Sequence, residues 1–244
     1  MILKKIFIIL IQIFQKQKKY FRILRGVEVY FPIDIKIKKE LIGNIKAQWC
    51  VATEYLSSNI IIYSFGVGTD ISFDLSLANN FRCDVYAFDP TPRSIEWMKK
   101  QKLPSNFVFC EYGVAAEDGE ILFYPPLNSN HVSFSINNAN DSSKGLRLPV
   151  YRLASIMKML GHRKIDILKM DIEGSEYGVI QDIIESNISI TQIMVEFHHR
   201  FDDTNVRKTK RAISSLQGIG YKIFYISATG EEYSLIMDPY TKIH

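Results

Sequence analysis

Short apolar runs alternate with capped helical segments along most of the chain, and this alternation constrains the fold more than any other feature. Five runs have the length and apolar content of buried strands: 59–65, 83–89, 106–114, 164–171 and 189–198. Helical segments are predicted between and after them at 70–80, 92–102, 152–160, 176–186 and 206–217. The alternation predicts an α/β fold with a mostly parallel sheet and helices on both faces.

Three further segments complete the predicted architecture. A sixth short strand is expected at 120–124, and the Asn-, Ser- and Pro-rich stretch 125–145 is typical of a surface loop. Residues 221–227 and 232–237 predict a terminal antiparallel hairpin around Gly230. In such sheets ligands bind beyond the carboxyl ends of the strands, so the residues that follow each strand are the candidates for a site.

Composition and charge exclude several classes of protein. Hydrophobic residues make up 47% of the 244 residues and charged residues 23%, as in an ordered soluble domain. The three cysteines are odd in number and form no CxxC pair, which predicts a reducing compartment and a cytoplasmic location. Beyond residue 50 the acidic residues outnumber the basic ones, which argues against a nucleic-acid-binding surface.

The first 45 residues are predicted to be a basic segment that precedes a domain spanning 46–244. Residues 1–50 contain eleven Lys and Arg but three acidic residues. The uncharged stretch 6–15 is too short to cross a bilayer. No small-residue cleavage site of a signal peptide follows it. Two interpretations remain: residues 1–25 lie as a helix on an anionic membrane surface, or they dock on the domain.

Glycines and carboxylates follow the first two predicted strands. The first strand leads into Gly66, Gly68 and Asp70, where glycines permit a tight turn and a close approach to a ligand. Ile71 occupies the place of the third glycine of a dinucleotide fingerprint, which disfavours a pyrophosphate site. Asp89 ends the second strand, 21 residues after Gly68, where a carboxylate can accept hydrogen bonds from ribose hydroxyls. A nucleoside without a pyrophosphate indicates S-adenosylmethionine rather than NAD.

Acidic residues and a histidine follow the later strands. Asp171 and Glu173 come after the run 164–171, and Glu176 is expected to favour the start of the next helix electrostatically. Glu196 and His198 share one side of the run 189–198 because strand side chains alternate. The carboxyl ends of parallel strands lie at one edge of a sheet, so Glu196 and His198 share that edge with Asp171.

The motifs together resemble the FkbM family of S-adenosylmethionine-dependent methyltransferases. The resemblance covers roughly residues 48–227 and rests on five segments in the family's order. These segments are YSFGVGTDISFD (63–74), VYAFDPTP (85–92), HVSFS (131–135), DILKMDIEGSEY (166–177) and VEFHHRF (195–201). The resemblance implies a Rossmann-like sheet of seven strands with an antiparallel last strand. It also implies methyl transfer, commonly to a hydroxyl of a sugar or polyketide-like acceptor.

The resemblance also implies roles for individual residues. Gly66, Gly68 and Asp70 would face the cofactor, and Asp89 would hold its ribose. Asp171 and Glu173 would lie beside the cofactor and the acceptor. His131 and Ser133 lie on the polar loop that could close over the acceptor, and Ser135 would share their side.

Two mechanisms remain open for removing the proton of the acceptor hydroxyl. His198 is the preferred general base because imidazole titrates near neutral pH, with His131 in reserve. Alternatively, Asp171, Glu196 and His198 bind a divalent metal ion that acidifies the hydroxyl. Glycan or glycolipid precursors are the expected acceptors. A nicotinamide-dependent oxidoreductase and a non-catalytic nucleoside-binding module are the alternative functions.

Overall fold

The computed structural model describes residues 2–45, 47–56, 59–123, 145–200 and 205–238. Six α-helices lie within these residues: α1 (Ile2–Leu24), α2 (Ser72–Asn80), α3 (Pro92–Met98), α4 (Leu153–Leu160), α5 (Glu176–Glu185) and α6 (Asn205–Gly218). Six strands lie within residues 40–114: β1 (Glu40–Ile42), β2 (Trp49–Val51), β3 (Ile60–Phe65), β4 (Cys83–Phe88), β5 (Phe107–Cys110) and β6 (Gly113–Val114). Six follow them: β7 (Gly119–Phe123), β8 (Leu146–Tyr151), β9 (Ile165–Met170), β10 (Ile190–Glu196), β11 (Tyr221–Ile226) and β12 (Glu232–Met237).

Seven strands form the central sheet in the order β11-β12-β10-β9-β3-β4-β5. The neighbours among β10, β9, β3, β4 and β5 pair in parallel, and β12 is antiparallel to both β10 and β11. This arrangement confirms the predicted sheet with its antiparallel last strand. After β3 the chain continues to β4, its neighbour toward one edge strand, and after β9 it continues to β10, toward the other edge strand. The strand order therefore switches between β3 and β9.

Helices cover both faces of the sheet, as predicted. Apolar residues of α4, α5 and α6, among them Ile156, Ile180 and Ile213, form one core with the sheet. Residues of α2 and α3, among them Leu77 and Met98, form a second core on the other face. Every residue of β9 is buried, as expected for a central parallel strand with helices on both faces.

A small sheet of β6, β8 and β7 differs from the sequence prediction. The single strand expected at 106–114 is two strands, because Gly113 and Val114 leave the central sheet and pair with β8. The predicted strand near 120–124 is β7. Its partner β8 contains Pro149, whose missing N–H argues against a strand and conceals β8 in the sequence pattern. The predicted loop 125–145 lies almost entirely outside the described residues.

The end of α1 is fixed to the domain through a buried carboxylate. Gly26, in the left-handed conformation, and Val27 donate to the carbonyls of Ile23 and Arg22, which closes the helix with a Schellman motif. Glu28 then enters the interior, where its side chain bonds to the side chains of His199 and Arg200. Among the described residues, no helix has both the length and the hydropathy needed to cross a membrane.

The segment after Glu28 also contacts the domain. The backbone N–H of Asp34 donates to the carbonyl of Ile223 over 2.8 Å, and β1 pairs with β2. Part of the predicted N-terminal segment therefore packs on the sheet. A boundary at residue 45 stays a prediction.

Substituting Glu28 is expected to remove a pH-dependent part of the stability. Burial raises the pKa of Glu28, but hydrogen bonds from His199 and Arg200 outweigh it and lower the pKa to about 2. A carboxyl whose folded pKa is depressed stabilises the fold above its unfolded pKa, and this stability is lost as pH falls toward about 2. Glu28→Gln should lower the free energy of unfolding by about 3 kcal/mol at pH 6, with a smaller loss at pH 3.

Urea unfolding at the two pH values measures this difference. The matched control is Glu54→Gln, since Glu54 is exposed and lies 3.3 Å from the equally exposed Lys38. An exposed ion pair contributes little, so this control should change stability by less than about 1 kcal/mol. An equal loss for Glu28→Gln at both pH values would contradict the assignment.

Candidate functional site

The carboxyl ends of β3, β4, β9 and β10 open into one cleft. Its cavity volume is about 260 Å³. The residues that line it include three glycines, five aromatic side chains, one lysine and seven acidic side chains: Gly66, Gly68, Gly113, Trp49, Phe65, Phe73, Phe88, Phe123, Lys169, Asp70, Asp74, Asp89, Asp171, Glu173, Glu196 and Glu232. The cleft therefore lies where strand order switches, and its wall is strongly acidic.

The turn after β3 approaches β9 so closely that only glycine fits at position 66. Gly66 has φ +72°, and a Cβ built on it would lie 1.7 Å from the carbonyl oxygen of Asp171. Its N–H donates to the carbonyl of Phe88, which ties the turn to the end of β4. The backbone at Gly66 thus lines the cleft between the ends of β3 and β9.

Alanine at position 66 is expected to disrupt this turn, since the new Cβ overlaps a backbone atom and the left-handed conformation disfavours L side chains. We expect Gly66→Ala to lower the free energy of unfolding by about 3 kcal/mol or more. Gly68→Ala is the matched control, because Gly68 also has positive φ (+56°) but no heavy atom within 4 Å of its built Cβ. It should cost about 1 kcal/mol. Urea unfolding, or the soluble yield if Gly66→Ala does not fold, compares the two; equal losses would contradict the predicted overlap.

Asp89 joins the ends of the first two central strands. Its side chain is buried, and Oδ2 accepts the N–H of Gly68 over 2.9 Å. Its Oδ1 accepts the backbone N–H of Thr91 over 2.9 Å, just before α3. Asp89 therefore shapes the start of α3 and also faces the cleft. Its Oδ1 also accepts the hydroxyl of Thr91, whereas Oδ2 keeps a lone pair that can accept a further hydrogen bond.

Asp70 lies at the rim of the cleft and is already hydrogen-bonded. Its Oδ1 accepts the N–H of Ser72 at the start of α2, and its Oδ2 accepts the side chain of Asn44 over 3.3 Å. Partial burial raises the pKa of Asp70, but the hydrogen bonds from Ser72 and Asn44 outweigh it and lower the pKa. A cofactor-binding role for Asp70 stays a prediction.

His198 lies at the centre of three carboxylates. Its Nδ1 lies 2.7 Å from Glu176 Oε1, and its Nε2 lies 3.4 Å from Glu173 Oε2 and 3.7 Å from Asp171 Oδ1. Burial lowers the pKa of His198, but the hydrogen bond to Glu176 and the charges of all three carboxylates outweigh it and raise the pKa to about 10. This arrangement favours the protonated imidazole, which opposes the predicted role of His198 as the general base.

The neighbouring carboxyl groups are shifted toward their neutral forms. Burial raises the pKa of Asp171, against the opposing charges of Lys169 and His198. Burial also raises the pKa of Glu196, and the charges of Asp171 and Glu232 add to the effect. A carboxylate with a raised pKa is a better proton acceptor than an exposed one.

The structure brings Asp171, Glu196 and His198 together, and this group could hold a metal ion. One ligand atom from each lies within 4.8 Å of the others. Glu176 holds the far nitrogen of His198, as carboxylates commonly do behind metal-bound histidines. The donor set of two carboxylates and one imidazole suits Mg²⁺, Mn²⁺ or a similar ion. Metal binding here stays a prediction.

Two important residues escape the sequence analysis. Glu176 is fully buried and bonds to both His198 and the N–H of Gly174, whereas the sequence indicates only a favourable helix start. Lys169, also buried, donates to the carbonyls of Phe65 and Gly66 and fixes the end of β3. A charged residue inside the apolar run 164–171 is the signal that could have identified Lys169.

Glu173 lines the cleft beside His198 and has positive φ (+51°), a conformation uncommon for a non-glycine residue. The other predicted acceptor-binding residues, His131, Ser133 and Ser135, lie outside the described residues.

The sheet order, the antiparallel seventh strand and the cleft at the switch point define a Rossmann-like methyltransferase fold. The profile of the Methyltransferase FkbM domain matches residues 61–223. The chain belongs to the FkbM family of S-adenosylmethionine-dependent methyltransferases.

Individual relatives are distant. The chain is 27% identical over 140 residues to "Probable methyltransferase-like protein 24" of Homo sapiens, which covers 56% of this chain and 32% of that protein. It is 23% identical over 146 residues to "Hexuronic acid methyltransferase AglP" of Haloferax volcanii, which covers 58% of each. These matches span less than two thirds of either relative. The crystal structure of methyltransferase FkbM from Methylobacillus flagellatus KT aligns over 73% of this chain and 43% of that one, with 12% identity and a TM-score of 0.45.

Proposed function

We propose that the chain transfers a methyl group from S-adenosylmethionine to a hydroxyl oxygen of a sugar or glycan. The observation that carries this proposal is the meeting of the Gly66 turn, Asp89 and the carboxylate cluster around His198 in one cleft. The first two suit a nucleoside, and the third suits a hydroxyl that must lose a proton.

The cofactor is proposed to span the ends of β3 and β4. The close backbone at Gly66 leaves room for the methionine part, and Asp89 Oδ2 accepts a hydrogen bond from a ribose hydroxyl. S-adenosylmethionine supplies a methyl group that its positively charged sulfur already activates. The acidic wall favours that positive charge, so the protein's further task is to place the hydroxyl in line with the methyl group.

A neutral polyol fits this cleft better than an anionic acceptor. Asp171, Glu173, Glu196 and Glu232 all line it, and carboxylates bind pairs of hydroxyl groups well. The same side chains repel an acceptor carboxylate unless a bound cation neutralises them. An uncharged sugar is therefore the proposed acceptor, although one distant relative bears the name of a hexuronic acid methyltransferase.

The proton of the acceptor hydroxyl is proposed to pass to Asp171. The pKa of this carboxyl is raised by burial, and the group faces the cleft. His198, 3.7 Å from Asp171 Oδ1, supplies the positive charge that stabilises the developing negative charge. In the alternative mechanism Asp171, Glu196 and His198 would hold a divalent ion, which would lower the pKa of the acceptor hydroxyl.

Three measurements on the purified chain test this function. Calorimetric titration should show binding of S-adenosylmethionine and S-adenosylhomocysteine but not of NAD. Incubation with neutral sugars and with hexuronic acids, followed by mass spectrometry, should reveal products heavier by one methylene. Full activity after EDTA treatment supports Asp171 as the acceptor of the proton, and activity restored only by Mg²⁺ or Mn²⁺ supports the metal. Binding of S-adenosylmethionine without any methylated product would favour the alternative function, a non-catalytic nucleoside-binding module.

A further inference from the structure

Helix α1 turns an apolar surface toward solvent. Phe14, Phe21 and Leu24 are each about two thirds exposed. With Ile13 and Tyr20 they recur at spacings of three, four and seven residues, which places them on one side of a helix. We call this set the apolar face of α1: Ile13, Phe14, Tyr20, Phe21 and Leu24.

The opposite side of α1 faces the protein. Lys19 is half-buried and lies against the turn before β12, since a Cβ built on Gly230 would be 2.6 Å from Lys19 Cε. Glu28, just beyond the helix, fixes it to His199 and Arg200. A surface helix of a globular domain normally turns its apolar side inward. The reversed orientation of α1 indicates an apolar partner outside the domain.

The positive charge of α1 indicates the chemistry of this apolar partner. Residues 1–25 contain seven Lys and Arg and no acidic residue. Lys16, Lys18 and Arg25 are exposed close to the apolar face of α1. Such a helix attracts anionic headgroups while its aromatic and aliphatic side chains enter the acyl boundary. A second copy of the chain would bring the same positive charge and is therefore disfavoured.

We propose that α1 is an interfacial helix that binds the surface of an anionic lipid bilayer through the apolar face of α1. Helix α1 contacts the domain beside the cleft, because Lys19 lies against Gly230 and Glu232, two residues further on, lines that cleft. The proposal is independent of the proposed methyl transfer, since it concerns only where α1 lies.

Sedimentation with lipid vesicles tests it. The full chain should bind phosphatidylglycerol-containing vesicles, with weaker binding to pure phosphatidylcholine and at high salt. The triple variant Phe14→Ser/Phe21→Ser/Leu24→Ser should weaken binding by at least about tenfold, because it removes most of the apolar area. The matched control is Met159→Ser/Ile219→Ser, which changes two similarly exposed apolar residues away from α1 and should bind like wild type.

Circular dichroism melts establish that all variants are folded. Equal vesicle binding by the triple variant and wild type would overturn the proposal, as would the absence of wild-type binding. Sedimentation velocity provides a further check. A dimer that forms without lipid and that the triple variant abolishes would also overturn it, by assigning the apolar face of α1 to a second copy.

Discussion

His198→Gln is expected to lower kcat by about a thousandfold while leaving the affinity for S-adenosylmethionine within about threefold of wild type. The imidazole contacts Asp171, Glu173 and Glu176 but does not line the nucleoside side of the cleft. Glutamine keeps much of the size and can hydrogen-bond Glu176, but it carries no positive charge and no metal-binding nitrogen. The loss is therefore expected in both proposed mechanisms.

Methyl transfer to whichever sugar the wild type methylates gives kcat, and calorimetry gives the cofactor affinity. His162→Gln is the matched control. His162 bonds to Tyr63 and precedes the amino end of β9, whereas His198 follows the carboxyl end of β10. The kcat of His162→Gln should stay near that of wild type. If kcat of His198→Gln equals that of wild type, the carboxylate cluster around His198 does not take part in catalysis.

Asp89→Ala is expected to weaken S-adenosylmethionine binding by about a hundredfold, since a hydrogen bond from a ribose hydroxyl to a buried carboxylate is lost. The variant also leaves the N–H of Gly68 without its acceptor, so part of the loss arises from a displaced turn. Asp89→Asn separates the two effects, because it keeps the volume and one acceptor oxygen. It too should bind the cofactor more weakly than wild type.

Calorimetry measures both variants, with thermal melts to establish folding. Asp84→Ala is the matched control because Asp84 is an exposed carboxylate near the other end of the same strand, β4. It should bind S-adenosylmethionine like wild type. An unchanged affinity in folded Asp89→Ala and Asp89→Asn would place the ribose elsewhere.

The position of the cleft could be predicted from sequence because it depends on local signals. Gly66, Asp89, Asp171 and His198 all follow apolar runs, and the carboxyl ends of parallel strands meet at one edge. The spacing of two between Glu196, the last residue of β10, and His198 predicts that both face one side. The structure brings them together with Asp171, and their roles stay predictions.

The charge state of the cluster could not be predicted in the same way. It depends on Glu176, 22 residues from His198, whose burial beside the imidazole follows from the packing of α5. The contact between Glu28 and His199 spans 171 residues and leaves no periodic signal. Strand β8 was missed because Pro149 contradicts its local pattern. Each of these features arises from tertiary contacts.

The antiparallel strand β12 brings Glu232 into a cleft whose proposed nucleoside side comes from β3 and β4. The two sides are thus encoded in separate parts of the chain, residues 60–91 and residues 169–232. Mutation of the second part can change the accepted molecule while the first continues to serve the same donor. Directed evolution of acceptor preference should therefore randomise Glu173 and Glu232 and leave Gly66 and Asp89 untouched.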